Sequence, residues 1–142
     1  MNITYPDNEP LFTISTAARL LRISIQTLRL YEKEGLIVTF KDKSSKRRFY
    51  SKMDIDRINS IRNTINVEKI SISGIRTLLS LIPCWKLKKC NKSSEQCIVF
   101  KEGSKPCWMV KDESKECYNC DCRSCKVYLS FADCSNFKEK IY

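Results

Sequence analysis

The chain has 142 residues, a formal net charge of +10, nine cysteines and no histidine. No apolar run approaches the roughly 20 residues needed to cross a bilayer, and no secretory signal opens the sequence, so we expect a cytoplasmic protein without membrane contact. All nine cysteines lie after residue 83. This split predicts a flexible leader (1–11), a cysteine-free helical domain (12–82) and a small, irregular cysteine-rich domain (83–142).

The first predicted elements are two short helices with a tight joint. Residues 12–21 predict a helix with Thr13 or Ser15 as its N-cap. Ser24 can cap a second helix over residues 25–34, and only three residues separate the two helices. Such a pair predicts a helix-turn-helix, whose second helix can enter the major groove of DNA.

A basic hairpin is predicted after the second helix. Gly35 is expected as the left-handed residue that ends the helix. Two apolar runs, 36–40 and 49–50, then flank residues 41–48, which carry five positive charges. The pattern predicts a two-stranded wing whose tip suits phosphates, and a solvated turn is the alternative.

Two further helices complete the front domain. Ser51 and Asp54 resemble a capping box, and a second helix is predicted from residue 71 or 73 to 82, ended by Pro83. Both helices carry an apolar face at helical spacing that we interpret as core without a ligand role. These core residues are Ile55, Ile58, Ile61 and Ile65 in the first helix and Ile72, Ile75, Leu79 and Ile82 in the second.

The front domain resembles the DNA-binding domain of MerR-type transcription regulators. The string from Gln26 to Ile37 carries most of the resemblance, and Arg48-Phe49-Tyr50-Ser51 matches the wing-to-helix junction. The sequence Leu-Arg-Leu-Tyr at 28–31 and residues 72–79 are similar to the HspR-like branch of this family. The resemblance covers residues 12–82 and implies a mainly α winged helix-turn-helix that binds a double-stranded DNA operator.

The resemblance also implies a homodimer, because two half-sites double the DNA readout. Members usually pair through a long helix after this domain. No heptad pattern follows Ile82 here, so the dimer surface stays open, and the tail is one candidate. We expect no enzyme, since the sequence shows no nucleotide-binding loop and no acid–base pair.

Several polar residues are candidates for DNA contact. Arg29 can bond a guanine edge or a phosphate, and Gln26 can pair with adenine. Lys46 and Arg47 suit the phosphate backbone. The resemblance adds tyrosines and a wing arginine, although core packing is an equal alternative for Tyr31. The candidate DNA-binding residues are Ser24, Gln26, Thr27, Arg29, Tyr31, Lys46, Arg47, Arg48 and Tyr50.

The tail contains two Pro-Cys-Trp phrases, at 83–85 and 106–108, and a cysteine-dense nonapeptide, 117–125. The twin phrases resemble the cysteine-rich tails of some bacterial regulatory proteins. The first three cysteines of the nonapeptide are spaced as in the cluster loop of SoxR-type redox sensors. The fourth comes earlier here than in that loop.

Dense cysteines in an intracellular chain predict metal or cluster ligands. Without histidine, all-cysteine zinc sites and iron–sulfur clusters remain. We favour an iron–sulfur cluster, most simply 4Fe-4S, that senses redox state or cluster availability. The two Cys-x-x-Cys pairs follow one another within one nonapeptide, unlike the separated pairs of a zinc ribbon, and a cube-shaped cluster accepts ligands from separated loops more readily. The main alternative is a repressor whose zinc-stapled tail recruits a protein partner, with disulfides or free thiols as a further one. The candidate ligands are Cys84, Cys90, Cys97, Cys107, Cys117, Cys120, Cys122 and Cys125.

Overall fold

The computed structural model describes residues 7–82, 97–98, 105–110 and 121–129. The fold is mainly helical with a small sheet, which confirms the predicted winged helix-turn-helix. In chain order its elements are β1 Phe12–Thr13, α1 Ile14–Leu21, α2 Ile25–Lys33, β2 Phe40–Lys41, β3 Arg48–Tyr50, α3 Lys52–Asn66, α4 Ile72–Ser80, the 3₁₀ turns Cys107–Met109 and Cys122–Ser124, and α5 Lys126–Leu129.

Side-chain caps define the helix-turn-helix. The Thr13 hydroxyl accepts from the Thr16 amide at 3.3 Å, and the Ser24 hydroxyl accepts from the Thr27 amide at 3.1 Å. Arg22 ends α1 in the left-handed region, at φ 57°. Each cap satisfies an amide that has no partner inside the helix. The caps that the sequence predicts at Thr13 and Ser24 are therefore confirmed.

Helix α1 begins later than predicted. Phe12 and Thr13 form a strand because their backbone pairs antiparallel with β3, with Phe12 opposite Tyr50. The sheet order is β1-β3-β2, and Phe40 faces Phe49 across the hairpin. The wing is confirmed, but its first strand is shorter than the apolar run at 36–40.

The predicted apolar faces of α3 and α4 form the centre of the core. Ile58, Ile61 and Ile75 are completely buried, and Ile55 and Ile65 pack partly buried against them. The predicted capping box opens α3: the Asp54 amide donates to the Ser51 hydroxyl at 3.1 Å, and the Ser51 amide donates to the Asp54 carboxylate at 2.8 Å. Ser71 caps α4.

Tail residues enter this same core. Trp108, Val127 and Tyr128 are buried in one cluster with Leu28 and Leu36 of the front domain. The sequence pattern does not predict this packing, because the tail has no periodic apolar run. At the other end, the amide of Leu11 donates to the Tyr50 carbonyl at 3.1 Å, and the amide of Met53 donates to the Asp7 carbonyl at 3.0 Å.

The helices in the described part of the chain are short. The longest described helix, α3, has 15 residues. None of the described helices is long and apolar enough to cross a bilayer.

Candidate nucleic-acid interface

Helix α2 presents two DNA-reading candidates on its exposed side. Gln26 and Arg29 are both exposed, and residues three apart lie on one helix face. Ser24 caps the helix, and its hydroxyl lies 2.8 Å from the Thr27 hydroxyl. Leu28, between the two candidates, is completely buried. The helix therefore offers an amide and a guanidinium outward while its opposite side holds the core.

Both candidate tyrosines lie in the core. Tyr31 is 5 % exposed and Tyr50 is completely buried. Burial raises the pKa of Tyr31. Burial, with the negative charge of Glu32 as the second cause, raises the pKa of Tyr50 to about 12. The Tyr50 hydroxyl is buried without a hydrogen-bond partner among the described residues. In this structure both rings therefore pack in the core.

The wing tip is an ordered turn built around Asp42. Its carboxylate accepts from the Ser45 amide at 2.9 Å and from the hydroxyls of Ser44 and Ser45 at 2.8 and 2.7 Å. These hydrogen bonds, the amide first, lower the pKa of Asp42 to about 2. Lys46 follows in the left-handed region at φ 61°. The turn holds Lys46 and Arg47 at an exposed tip.

Glu32 joins the recognition helix to the wing. Its carboxylate accepts from Arg48 Nε at 2.5 Å and from the Thr39 hydroxyl at 2.8 Å. Arg48 lies in β3 and Thr39 directly precedes β2. Arg48, a candidate for DNA contact, thus has a carboxylate partner, and its side chain is 32 % exposed. Glu32 was not among the sequence candidates.

The tail covers the end of the recognition helix. Gly35 is in the left-handed region at φ 78°, as expected for the residue that ends α2. Trp108 Nε1 donates to the Gly35 carbonyl at 2.6 Å. A Cβ at Gly35 would lie 2.0 Å from the Met109 sulfur. A side chain at Gly35 would therefore require the Met109 side chain to move.

Arg57 of α3 lies between the front domain and the tail. It is 3 % exposed, and it donates from Nε to the Leu36 carbonyl at 3.1 Å and from Nη1 to the Tyr128 carbonyl at 2.8 Å. Its guanidinium lies 3.9 Å from the Tyr128 ring centroid and 5.4 Å from that of Trp108. The two rings meet edge to face, with centroids 5.1 Å apart. Cation–π contacts of a desolvated arginine are worth about 2 kcal/mol each.

The structure describes half of the candidate metal ligands. Cys97, Cys107, Cys122 and Cys125 are half-buried, and the last three pack against the core. The remaining candidates, Cys84, Cys90, Cys117 and Cys120, lie outside the described residues. Within the part of the chain that is described, no three potential metal ligands come together. The ligand set stays a prediction.

Two capped helices with a basic, two-stranded wing define a winged helix-turn-helix protein of the DNA-binding class. The chain belongs to the MerR family: the sequence profile described as "MerR HTH family regulatory protein" matches residues 12–82, half of the chain. Residues 12–82 therefore form a DNA-binding domain of the MerR type. Regulators of this family typically act as dimers.

Three curated proteins show similarity to the front domain. The heat shock protein HspR named in Streptomyces coelicolor is 32 % identical over 75 residues, covering 53 % of this chain and 49 % of its own length. The regulator named as a ZntR homolog in Haemophilus influenzae is 37 % identical over 68 residues, covering 48 % and 50 %. The HTH-type transcriptional regulator YyaN of Bacillus subtilis is 53 % identical over 45 residues, covering 32 % and 33 %.

The chain thus spans half or less of the length of each relative that it matches. No solved structure matches the chain. Sequence similarity therefore supports the DNA-binding part of the chain.

Proposed function

We propose that the chain is a homodimeric regulator that reads its operator through Gln26 and Arg29, while Lys46 and Arg47 bind phosphates. The observation that carries the proposal is the exposed pair on α2 beside an ordered basic tip. A bidentate arginine or glutamine discriminates among bases in the major groove. Lysine and arginine at the tip supply affinity without sequence choice.

The test begins with selection of operator sequences from a random DNA library. Replacing Arg29 with Ala should then weaken binding to the selected operator by about 1–3 kcal/mol. Lys69→Ala removes one exposed charge in the α3–α4 connection and serves as the control. An equal loss on operator and random DNA would demote Arg29 to a phosphate contact. Sedimentation of the DNA complex at a two-fold operator tests the homodimer.

We further propose that the tail binds an iron–sulfur cluster, most simply 4Fe-4S, and senses redox state or cluster availability. The donor set fits such a group, because nine thiols and no histidine make every strong soft ligand a thiolate. Cys122 and Cys125 stand at the two ends of one turn, closed by a 3.1 Å bond from the Cys125 amide to the Cys122 carbonyl. A bound cluster would supply a reversible one-electron change beside the DNA-binding domain.

The cluster is tested by anaerobic purification with iron, sulfide and zinc assays and a visible spectrum. Changing Cys122 and Cys125 to Ser should lower the iron content, whereas Cys134→Ser, the matched control, should not. A colourless protein with stoichiometric zinc would favour the alternative, a structural zinc site in a tail that recruits a protein partner. Chelation should then unfold the tail. Protein without iron or zinc would contradict both.

A further inference from the structure

Two tail side chains bind both backbone polar groups of Val38. The Val38 amide donates to the Tyr128 hydroxyl at 2.9 Å, and Arg123 Nη1 donates to the Val38 carbonyl at 2.9 Å. Val38 lies in the connection between α2 and β2, two residues before Phe40. Two tail side chains thus bind the backbone amide and carbonyl of Val38, as a neighbouring strand would, next to the start of the wing.

We call the pair Arg123 and Tyr128 the clamp, and Asp54 connects it to the start of α3. The same Arg123 nitrogen lies 3.0 and 2.9 Å from the two carboxylate oxygens of Asp54. The side chains are 14 % and 6 % exposed, so water screens the pair weakly. Asp54 also accepts from the Ser51 amide in the capping box. The clamp thus connects the wing base to a rigid helix end.

The position of Arg123 depends on the cysteine turn around it. Arg123 lies between Cys122 and Cys125, and its amide donates to Asp121 Oδ1 at 3.1 Å. The other half of the clamp, Tyr128, lies three residues after Cys125 in α5. A group held by the two thiolates would therefore be bound by the same turn that carries Arg123.

We propose that Arg123 and Tyr128 are positioning residues through which the tail sets the wing against DNA. The inference rests on the proposed phosphate contacts of the wing and names how they are regulated. With the clamp closed, the connection to β2 is held and Arg47 meets its phosphate. With the clamp open, the wing loses its fixed position and that contact is lost.

The experiment is a double-mutant cycle read by the salt dependence of DNA affinity in the full-length protein. Arg47→Ala should lower the slope of log affinity against log salt by about one, as for one lost phosphate contact. Arg123→Ala should lower the slope by a similar amount. Adding Arg47→Ala to the Arg123→Ala protein should then change the slope by much less than one.

Three further variants complete the cycle. Tyr128→Phe keeps the ring and removes the hydroxyl that accepts from the Val38 amide, so it should reproduce part of the effect while the fold is kept, with a modest loss of stability from the unpaired amide. Arg123→Lys keeps the charge and should partly restore the slope. Lys126→Ala removes one exposed charge next to the turn. In this background, Arg47→Ala should still lower the salt slope by about one. The hydrogen-exchange rate of the Val38 amide should rise in Tyr128→Phe.

The possible outcomes separate the two proposals. Additive slopes for Arg47 and Arg123 would overturn the clamp while leaving the wing contacts standing, since Arg123 would then be an independent cation. An unchanged slope for Arg47→Ala alone would overturn the proposed phosphate contact, and the clamp proposal with it. Unaltered exchange at Val38 in Tyr128→Phe would overturn the clamp by a measurement without DNA.

Discussion

Replacing Gly35 with Ala should destabilise the protein in two separable ways. A side chain in the left-handed region costs about 1–2 kcal/mol, and φ at Gly35 is 78°. The new Cβ would also lie 2.0 Å from the Met109 sulfur and 2.4 Å from its Cγ. Forcing the thioether aside costs about 1–3 kcal/mol. We expect a total loss of about 2–5 kcal/mol in the free energy of unfolding.

The two contributions can be measured by repeating the substitution in a Met109→Ala protein. Only the backbone contribution should remain there, so the interaction energy between the two sites should be about 1–3 kcal/mol. Urea unfolding followed by circular dichroism gives each free energy by linear extrapolation. Gly74→Ala is the comparison in ordinary helical geometry: its Cβ would lie 3.0 Å from Ile70 Cγ2 and 3.2 Å from Ser71 Oγ, which opposes the helix-propensity gain of about 1 kcal/mol, so we expect a smaller effect than at Gly35, unchanged by Met109→Ala.

An identical loss for Gly35→Ala in both backgrounds would refute the reasoning. It would mean that Met109 does not cover Gly35, and the packing of the tail on the recognition helix would lose one of its supports. If Gly35→Ala costs only about 1 kcal/mol in the Met109→Ala protein, that remaining cost comes from the left-handed backbone conformation at residue 35.

Three other results are expected. Tyr50→Phe should leave stability at neutral pH unchanged or slightly higher, because the buried hydroxyl has no described partner. Burial raises the pKa of Tyr50 to about 12, above its value in the unfolded chain, so the stability of the unsubstituted protein should fall as pH rises from about 10 to 12. Urea titrations over this pH range should show a shallower fall for Tyr50→Phe. Trp108→Ala should cost about 3–5 kcal/mol in urea unfolding, because Trp108 is 4 % exposed and bonded to the Gly35 carbonyl; a loss below 1 kcal/mol would contradict its place in the core. Glu32→Gln removes the charge that holds Arg48, so footprinting should show altered wing protection with unchanged contacts of α2.

Local signals in the sequence account for most of the front domain. Thr13, Ser24 and Ser51 were predicted as caps, and all three hydroxyls accept from the amide three residues later. The isoleucine spacing of α3 likewise predicted its buried face. Each of these signals involves residues within one helical turn, where spacing in sequence equals spacing in space.

The candidate DNA-binding residues differ in solvent exposure, and spacing in the sequence does not determine exposure. Gln26 and Arg29 are exposed, whereas Tyr31 and Tyr50 are buried. A tyrosine suits either environment, because its ring is apolar and its hydroxyl polar. Arg57 carried one available signal: it stands four residues before Ile61 on the apolar face of α3, where an unpaired charge would be costly.

The sequence by itself determined the helix-turn-helix, its caps, the basic wing and the family resemblance, since these follow from short-range pattern and residue chemistry. Only the tertiary structure decided that the tail packs into the same core and holds Gly35 and Val38. The contacting residues are 73 positions apart for Gly35 with Trp108 and 90 apart for Val38 with Tyr128. Such pairs leave no periodic signal, because their meeting depends on the fold of everything between them.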